Sequence, residues 1–455
     1  MKSKNIIPLI ILLSTLNFIS CKKFLDKQSD NSYTVPQSLS DLQALLDDAD
    51  VMNNMVTPSY GSASADNYFL PLDVYNSMSD ELKQTYTWIP HDYLSPNDWA
   101  YSYLPIYNSN YCLETLDTIP VTSDNSTMWR NVKGSSLFFR AYYFLELSWV
   151  YSKAYDKNTA SSDPGIVLRL TSDFNVKSVR STVQESYDRI IMDAKESIQY
   201  LPDLPAHPMR PSKAAAYGLL ARAYLSMRQY DSAFKYANSC LELKDTLLDY
   251  NDGSINIGAN VPFQPFNEEI IFFTSMNPTN GTFGTYFARV DTSLYASYDS
   301  SDLRKLIFFR PNDTYQRFKG SYASSVSASF SGIAVDEMYL IRAECYARAN
   351  NIEAALADLN TLMIKRWKNT VPYKSITATT SDEALQLILI ERRKELLFRG
   401  LRWMDIKRLN KEGYNIILTR KIGDSSFTLP PNDNKYALPL PSDIISQTGI
   451  EQNPQ

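Results

Sequence analysis

Catalytic chemistry is thinly supplied in this sequence of 455 residues. It has two histidines, His91 and His207, both beside proline or in loop sequence. No H-E-x-x-H, G-x-S-x-G, P-loop or C-x-x-C pattern accompanies them. A glycosidase needs only two carboxylates, but no spacing among the 50 acidic residues picks out a pair. Asp249-Tyr-Asn251-Asp-Gly253 has the outline of a calcium loop. Its glycine comes one place early and no glutamate closes it, so a turn is expected. Glu391 and Glu395, with Arg392, Arg393 and Lys394 between them, read as an exposed or partly buried ion-pair network supporting a helix. The expectation is no catalytic residue, no metal and no cofactor.

Two other chemistries are better supplied. The thiol of Cys21 follows Lys2, Lys4 and an apolar run over 6–13, too short to span a bilayer. Asn17-Phe18-Ile19-Ser20-Cys21 resembles a bacterial lipoprotein cleavage site, so residues 1–20 read as a signal peptide and Cys21 as the lipid anchor. Several acyl chains there give lasting attachment where one is marginal. Aromatic stacking is the second. Tyrosine is used 31 times against 14 glycines. A tyrosine or tryptophan face matches the apolar C–H face of a sugar ring, while Asn, Asp, Arg or Ser binds its hydroxyls. Such aromatics belong on loops. The candidates are Tyr68, Tyr86 and Trp88 in one loop region and Tyr286, Tyr295 and Tyr298 in another, with Asp66, Asn67 and Arg289 as polar partners. Helical spacing assigns Trp99, with Tyr103, to the core, and Trp403 reads as core also.

The elements that hold these loops follow a repeat. From Tyr339, Ala343 lies at +4, Tyr346 at +7 and Ala355 at +16; from Tyr217, Ala221, Tyr224 and Ala233 take the same places. On a helix, +4 and +7 share one face, and a small residue at +16 lets a second helix approach closely. This is the spacing of a tetratricopeptide-type helix pair. Each pair leaves apolar surface that only a neighbouring pair covers. The chain is thus expected to be mainly α, an array of helix pairs at about 99–151/182–201, 214–243, 333–367 and 381–410. Two loop-rich segments would hang on it: 51–96, irregular and rich in aromatics, and 249–331, with loops, short strands and short helices. Residues 21–35 read as a polar tether, and 36–455 as a single domain that opens with a short amphipathic helix over 38–49.

The formal charge of −5 argues against nucleic acid and against an anionic membrane surface. Membrane contact is expected through the N-terminal lipid alone. Cys112, Cys240 and Cys345 each sit on an apolar helical face and are expected as buried thiols.

A family resemblance then runs along most of the mature chain. Its marks are Cys21-Lys-Lys-Phe-Leu-Asp26; the helix bearing Trp99, Tyr103, Ile106 and Asn110; Arg140-Ala-Tyr-Tyr-Phe144; Pro164-Gly-Ile-Val-Leu168; and Asp302-Leu-Arg304. Further on come Tyr339 to Glu344, Asp358-Leu-Asn360, Glu391 to Leu396, Gly400 to Asp405, Leu438-Pro-Leu-Pro441 and Gln452-Asn-Pro454. In this order they resemble the SusD/RagB-type lipoproteins. The resemblance implies a SusD-like helical core of four tetratricopeptide-like units and a non-enzymatic activity. Such a protein captures an oligosaccharide, or sometimes a peptide, and delivers it to a SusC-like TonB-dependent outer-membrane transporter that it covers. Localisation at the outer membrane, facing the exterior, is implied with it. Arg399 departs from the pattern: it stands where the family has a glutamate, which predicts an ion pair absent or reversed. A secreted glycan hydrolase on a helical array, or a scaffold that binds no small ligand, are the alternatives.

Overall fold

The computed structural model describes residues 36–93, 95–278, 280–284 and 286–455. The expected signal peptide, the Cys21 anchor and the expected tether lie outside the described residues. The principal helices are α1 (Asp98–Leu116), α2 (Ser126–Tyr151), α3 (Val183–Ile198), α4 (Lys213–Ser226), α5 (Tyr230–Leu243), α6 (Val335–Arg348), α7 (Ile352–Ile364), α8 (Ser381–Glu395) and α9 (Arg402–Asn410). The fold is mainly α, as the periodicity predicts. The helices stack in order, α1 on α2, α2 on α3, and so on through α4 and α5 to α6, which meets both α7 and α8.

Capping explains where helices begin. Thr182 makes a capping box with Glu185 at the start of α3, and the Asn97 side chain accepts from the amides of Trp99 and Ala100 at the start of α1. Each such cap satisfies helix-end donors that would otherwise be orphaned. The short first helix runs Leu39–Asp47, capped by Ser38, with Leu39, Leu42 and Leu46 buried.

The two repeat units occupy matching surroundings. Ala221, Ala233, Ala343 and Ala355 are all fully buried between helices. Tyr217 and Tyr339 are half-buried against the same core. Tyr224 stacks on Tyr236 at 5.5 Å, and Tyr346 meets Phe234 edge-on at 4.9 Å across the α5/α6 boundary. An arginine–carboxylate pair then staples successive layers: Arg140 to Asp193 across α2/α3, Arg222 to Glu337 across α4/α6, Arg342 to Asp358 across α6/α7 and Arg408 to Glu344 across α9/α6. Truncating one partner of such a buried pair costs about 3–5 kcal/mol, because the other charge is stranded. Helix α9 does not extend the array. It lies against α2, α4 and the short helix Tyr60–Ser64, tied to α8 by Arg392 and Asp405.

The segments read as loops are more ordered than their sequence suggests. Residues 51–96 contain short helices at Tyr60–Ser64, Leu72–Ser77 and Asp80–Thr87. They share with 249–331 a second core of buried aromatics, including Tyr68, Tyr86, Phe263, Phe308, Phe318 and Phe398. Their helices are too short to show a period, which is why the pattern was silent. Strand Pro164–Val167 pairs with Arg180–Thr182; a Cβ on Gly165 would lie 2.3 Å from the Thr182 carbonyl oxygen, so only glycine fits.

The Glu391–Glu395 cluster is an ion-pair network, as expected, but a buried one: Lys394 pairs with Glu391 within the helix at 2.7 Å, and the network reaches beyond it. Arg304 donates to Asp302, Glu391 and Glu395, while Arg366 donates to Glu395 and Glu269. Burial pushes the Glu395 carboxyl up, but Arg366 and Arg304 outweigh it and hold it at about 2. The network locks the second core to α8. Arg399, the departure from the family pattern, is buried and pairs with Asp336 at 2.7 Å. The Asp249 segment is a turn, its carboxylate accepting from the Asn251 amide. Cys112, Cys240 and Cys345 are buried free thiols.

Candidate ligand-binding site

Of the aromatics chosen from the sequence, those in the first loop region face inward. Tyr68 and Tyr86 are buried, and Trp88 is 5% exposed. The three rings surround the guanidinium of Arg420, at 4.9, 4.3 and 5.2 Å from their centroids. Arg420 itself donates to the carbonyls of Tyr68, Tyr86 and Ala65. Trp88 Nε1 donates to Ser64 O at 3.0 Å. This cage binds the protein's own arginine, and the three rings are turned inward on it.

Asp66 and Asn67 are fasteners. Asp66 takes a two-pronged pair from Arg402 at 2.7 and 2.8 Å and a longer one from Arg393. Burial raises the Asp66 carboxyl, but Arg402 and Arg393 hold it well below the usual carboxylate range. Arg393 also donates to Asn67 Oδ1. Asn67 O in turn accepts from the Asp291 amide, which joins the two loop regions. They meet in a short antiparallel ladder, Tyr68 opposite Val290 and Phe69 opposite Arg289. Arg289 is buried, and its guanidinium donates to the Phe287 carbonyl at 2.9 Å. Tyr298 is buried, its hydroxyl donating to Lys394 O. Tyr295 is half-buried beside Phe309, under the Lys305 ammonium at 5.1 Å.

Tyr286 alone among the candidates is an open platform, 71% exposed. The Arg317 guanidinium lies 5.4 Å from its ring centroid and fixes one side of it. Arg317 comes from a hairpin within 249–331, where short strands are expected without a register: Phe309–Asn312 paired with Tyr315–Phe318. The signal was partial: Phe309-Arg-Pro-Asn312 alternates and Asn312-Asp-Thr314 marks a turn, but Tyr315-Gln-Arg-Phe318 does not alternate. The hairpin adds Tyr315, 39% exposed, which meets Phe69 edge-on at 4.9 Å.

Beside Tyr286 opens a groove of about 210 Å³, lined among others by Phe287, Asn260, Asn280, Arg310, Lys319 and Ser327. Its floor rests on the second core: Phe283 stacks on Phe398 at 6.2 Å, and Phe318 packs against Phe398 at 5.0 Å. The site is thus an exposed ring flanked by arginines and amides on a rigid base. That arrangement suits a ligand with both an apolar face and hydroxyl or charged groups. A larger concavity of about 600 Å³ lies elsewhere, where Trp99 and Tyr103 line a groove with Tyr107, and Phe174 stacks on Tyr107 at 5.0 Å. Trp99 is buried against Tyr103, in the core as its helical spacing assigns it, and it also lines the wall of this groove.

Among the described residues, no helix is long and apolar enough to cross a membrane. Comparison with known proteins gives the chain its relatives. A family model described as "Starch-binding associating with outer membrane" matches residues 23–225, and one described as "SusD family" matches 314–455. Among solved structures, a SusD superfamily protein from Bacteroides thetaiotaomicron is 20% identical with a TM-score of 0.75, over 92% of this chain and all of that one. A SusD-like carbohydrate binding protein from Bacteroides vulgatus is 20% identical with a TM-score of 0.67, over 90% of this chain and 96% of the other. A laminarin binding SusD-like protein is 17% identical with a TM-score of 0.64, over 91% and 97%. No curated protein matches the chain. With the two family models matching in order over 23–225 and 314–455, the chain belongs to the SusD/RagB family.

Proposed function

We infer that this protein binds an oligosaccharide at the Tyr286 groove and passes it to a TonB-dependent transporter in the outer membrane. The observation that carries the reading is Tyr286 itself, an exposed ring with Arg317 on one side, at the mouth of a polar groove. Sugar rings stack on such faces, and adjacent amides and guanidinium groups bind their hydroxyls. The printed descriptions of the relatives, starch-binding, carbohydrate binding and laminarin binding, support the ligand class. Attachment through acylated Cys21 follows from the leader sequence, and the family's outer-membrane association supports it.

Calorimetry of the purified protein against a panel of oligosaccharides tests the binding. At least one is expected to bind, and Tyr286→Ala is expected to weaken it at least tenfold. Extraction of membranes under mild detergent tests the transporter: a large β-barrel should co-purify, and its absence would count heavily against delivery. Cys21→Ser should release the protein from the membrane fraction. The appearance of new reducing ends during incubation would instead favour the hydrolase.

A further inference from the structure

The hairpin beside Tyr286 sets Arg310 directly opposite Arg317. Strand alternation turns Phe309 and Phe318 into the core and leaves Arg310, Asn312, Tyr315 and Arg317 on the other face. Like charges placed directly opposite each other in a ladder are destabilising. Nothing among the described residues cancels this pair. Arg310 donates to Asn260 Oδ1 at 2.7 Å, a neutral partner. Arg317 lies over the Tyr286 ring, and its Nε is buried without a hydrogen-bond partner.

Two more cations crowd the same place. Lys319 is buried next along the strand and donates to the carbonyls of Ile257 and Ala259. Burial first, and the neighbouring Arg310 second, pull its ammonium below the ordinary lysine value. Arg289 is lowered by burial and then by Arg317. The exposed carboxylates Asp73 and Asp313 act on Arg289 from a distance, and neither closes an ion pair with it among the described residues. The groove lining holds Arg310 and Lys319 and no aspartate or glutamate. Asn280 adds a donor: its Oδ1 is taken by the Thr282 amide and hydroxyl, while its buried Nδ2 has no partner. A chain with formal charge −5 has therefore gathered cations and free donors at one groove. Local charge of this kind draws an oppositely charged ligand.

We propose that the groove takes an anionic oligosaccharide, its carboxylate or sulfate seated between Arg310 and Arg317 while a sugar ring stacks on Tyr286. This rests on the reading of the groove as the glycan site. An oxyanion there replaces the Arg–Arg repulsion with charge-assisted bonds from two planar forks.

Calorimetry on the full chain in mild detergent tests it. The probes are oligogalacturonates, sulfated carrageenan oligosaccharides and neutral laminari- and malto-oligosaccharides of equal length, at low and high salt. One acidic series should bind at least tenfold tighter than either neutral series and weaken as salt rises; whether it is the carboxylated or the sulfated one fixes the group. Arg310→Gln and Arg317→Gln should each cut that affinity tenfold or more without lowering the melting temperature, since each removes one of two like charges that stand opposite in the ladder. Neutral oligosaccharides that bind as tightly as acidic ones, and are lost in Tyr286→Ala, would overturn the charge selectivity and leave the glycan site standing. No binding of any probe would overturn both.

Discussion

The guanidinium carbon of Arg420 lies 4.3 Å from the centroid of the Tyr86 ring, inside the protein. It comes from the C-terminal hairpin Leu418–Ile422/Ser425–Leu429, and it binds the first loop region to the rest of the molecule. Removing it strands the carbonyls of Ala65, Tyr68 and Tyr86. Each buried acceptor left unmade costs about 1–3 kcal/mol, and the lost cation–π contacts add to that. Arg420→Ala is expected to destabilise the protein by about 3 kcal/mol or more in urea unfolding. Arg420→Lys should recover only part, because lysine keeps the charge and loses the planar fork.

Trp88 and Tyr286 should separate stability from binding. Trp88→Ala removes a buried ring and is expected to cost about 3–5 kcal/mol of stability. Tyr286→Ala removes an exposed ring and should leave the melting temperature within about 1 °C while weakening glycan binding at least tenfold. Paired differential scanning fluorimetry and calorimetry check both. Equal loss of affinity at matched folding in the two variants would mean that the first loop region touches ligand after all.

Asp66 should act as a clasp. Asp66→Asn breaks the two-pronged pair with Arg402 that holds the first loop region to α9. Limited proteolysis is expected to cut faster between residues 61 and 90 in this variant, with cleavage elsewhere unchanged. The strand carrying Phe69 loosens with it, so glycan affinity should fall by a smaller factor than in Tyr286→Ala.

Acid should unfasten the α6/α9 layer. Burial raises the Glu344 carboxyl, but Arg408 and Arg348 outweigh it and hold it at about 2, against an ordinary 4.5. Between those values the unfolded chain binds more protons, so the stability this group confers is full above pH 4.5 and drains as the pH falls toward 2. The amount is on the order of 3 kcal/mol. Glu344→Gln should lower stability at neutral pH and flatten that acid limb, as followed by circular dichroism. Glu146 acts the other way. Burial raises it to about 8 despite Arg222, so its contribution is present below pH 4.5 and is lost as the pH rises through 8.

Periodicity fixed the scaffold before any coordinates. The Tyr–Ala–Tyr–Ala register at 217–233 and 339–355 is local, because residues four and seven apart on a helix meet whatever the rest of the chain does. The buried thiols and the Thr182 start of α3 are local in the same sense. The site is not. Tyr68 meets Val290, Arg420 enters a ring of aromatics from the first hundred residues, and Phe398 props Phe283 and Phe318. A tyrosine in a loop sequence carries no mark of whether it will face solvent, like Tyr286, or close on an arginine, like Tyr86. Only the pairing of distant segments decides which rings are spent on holding the protein together and which are left for a ligand.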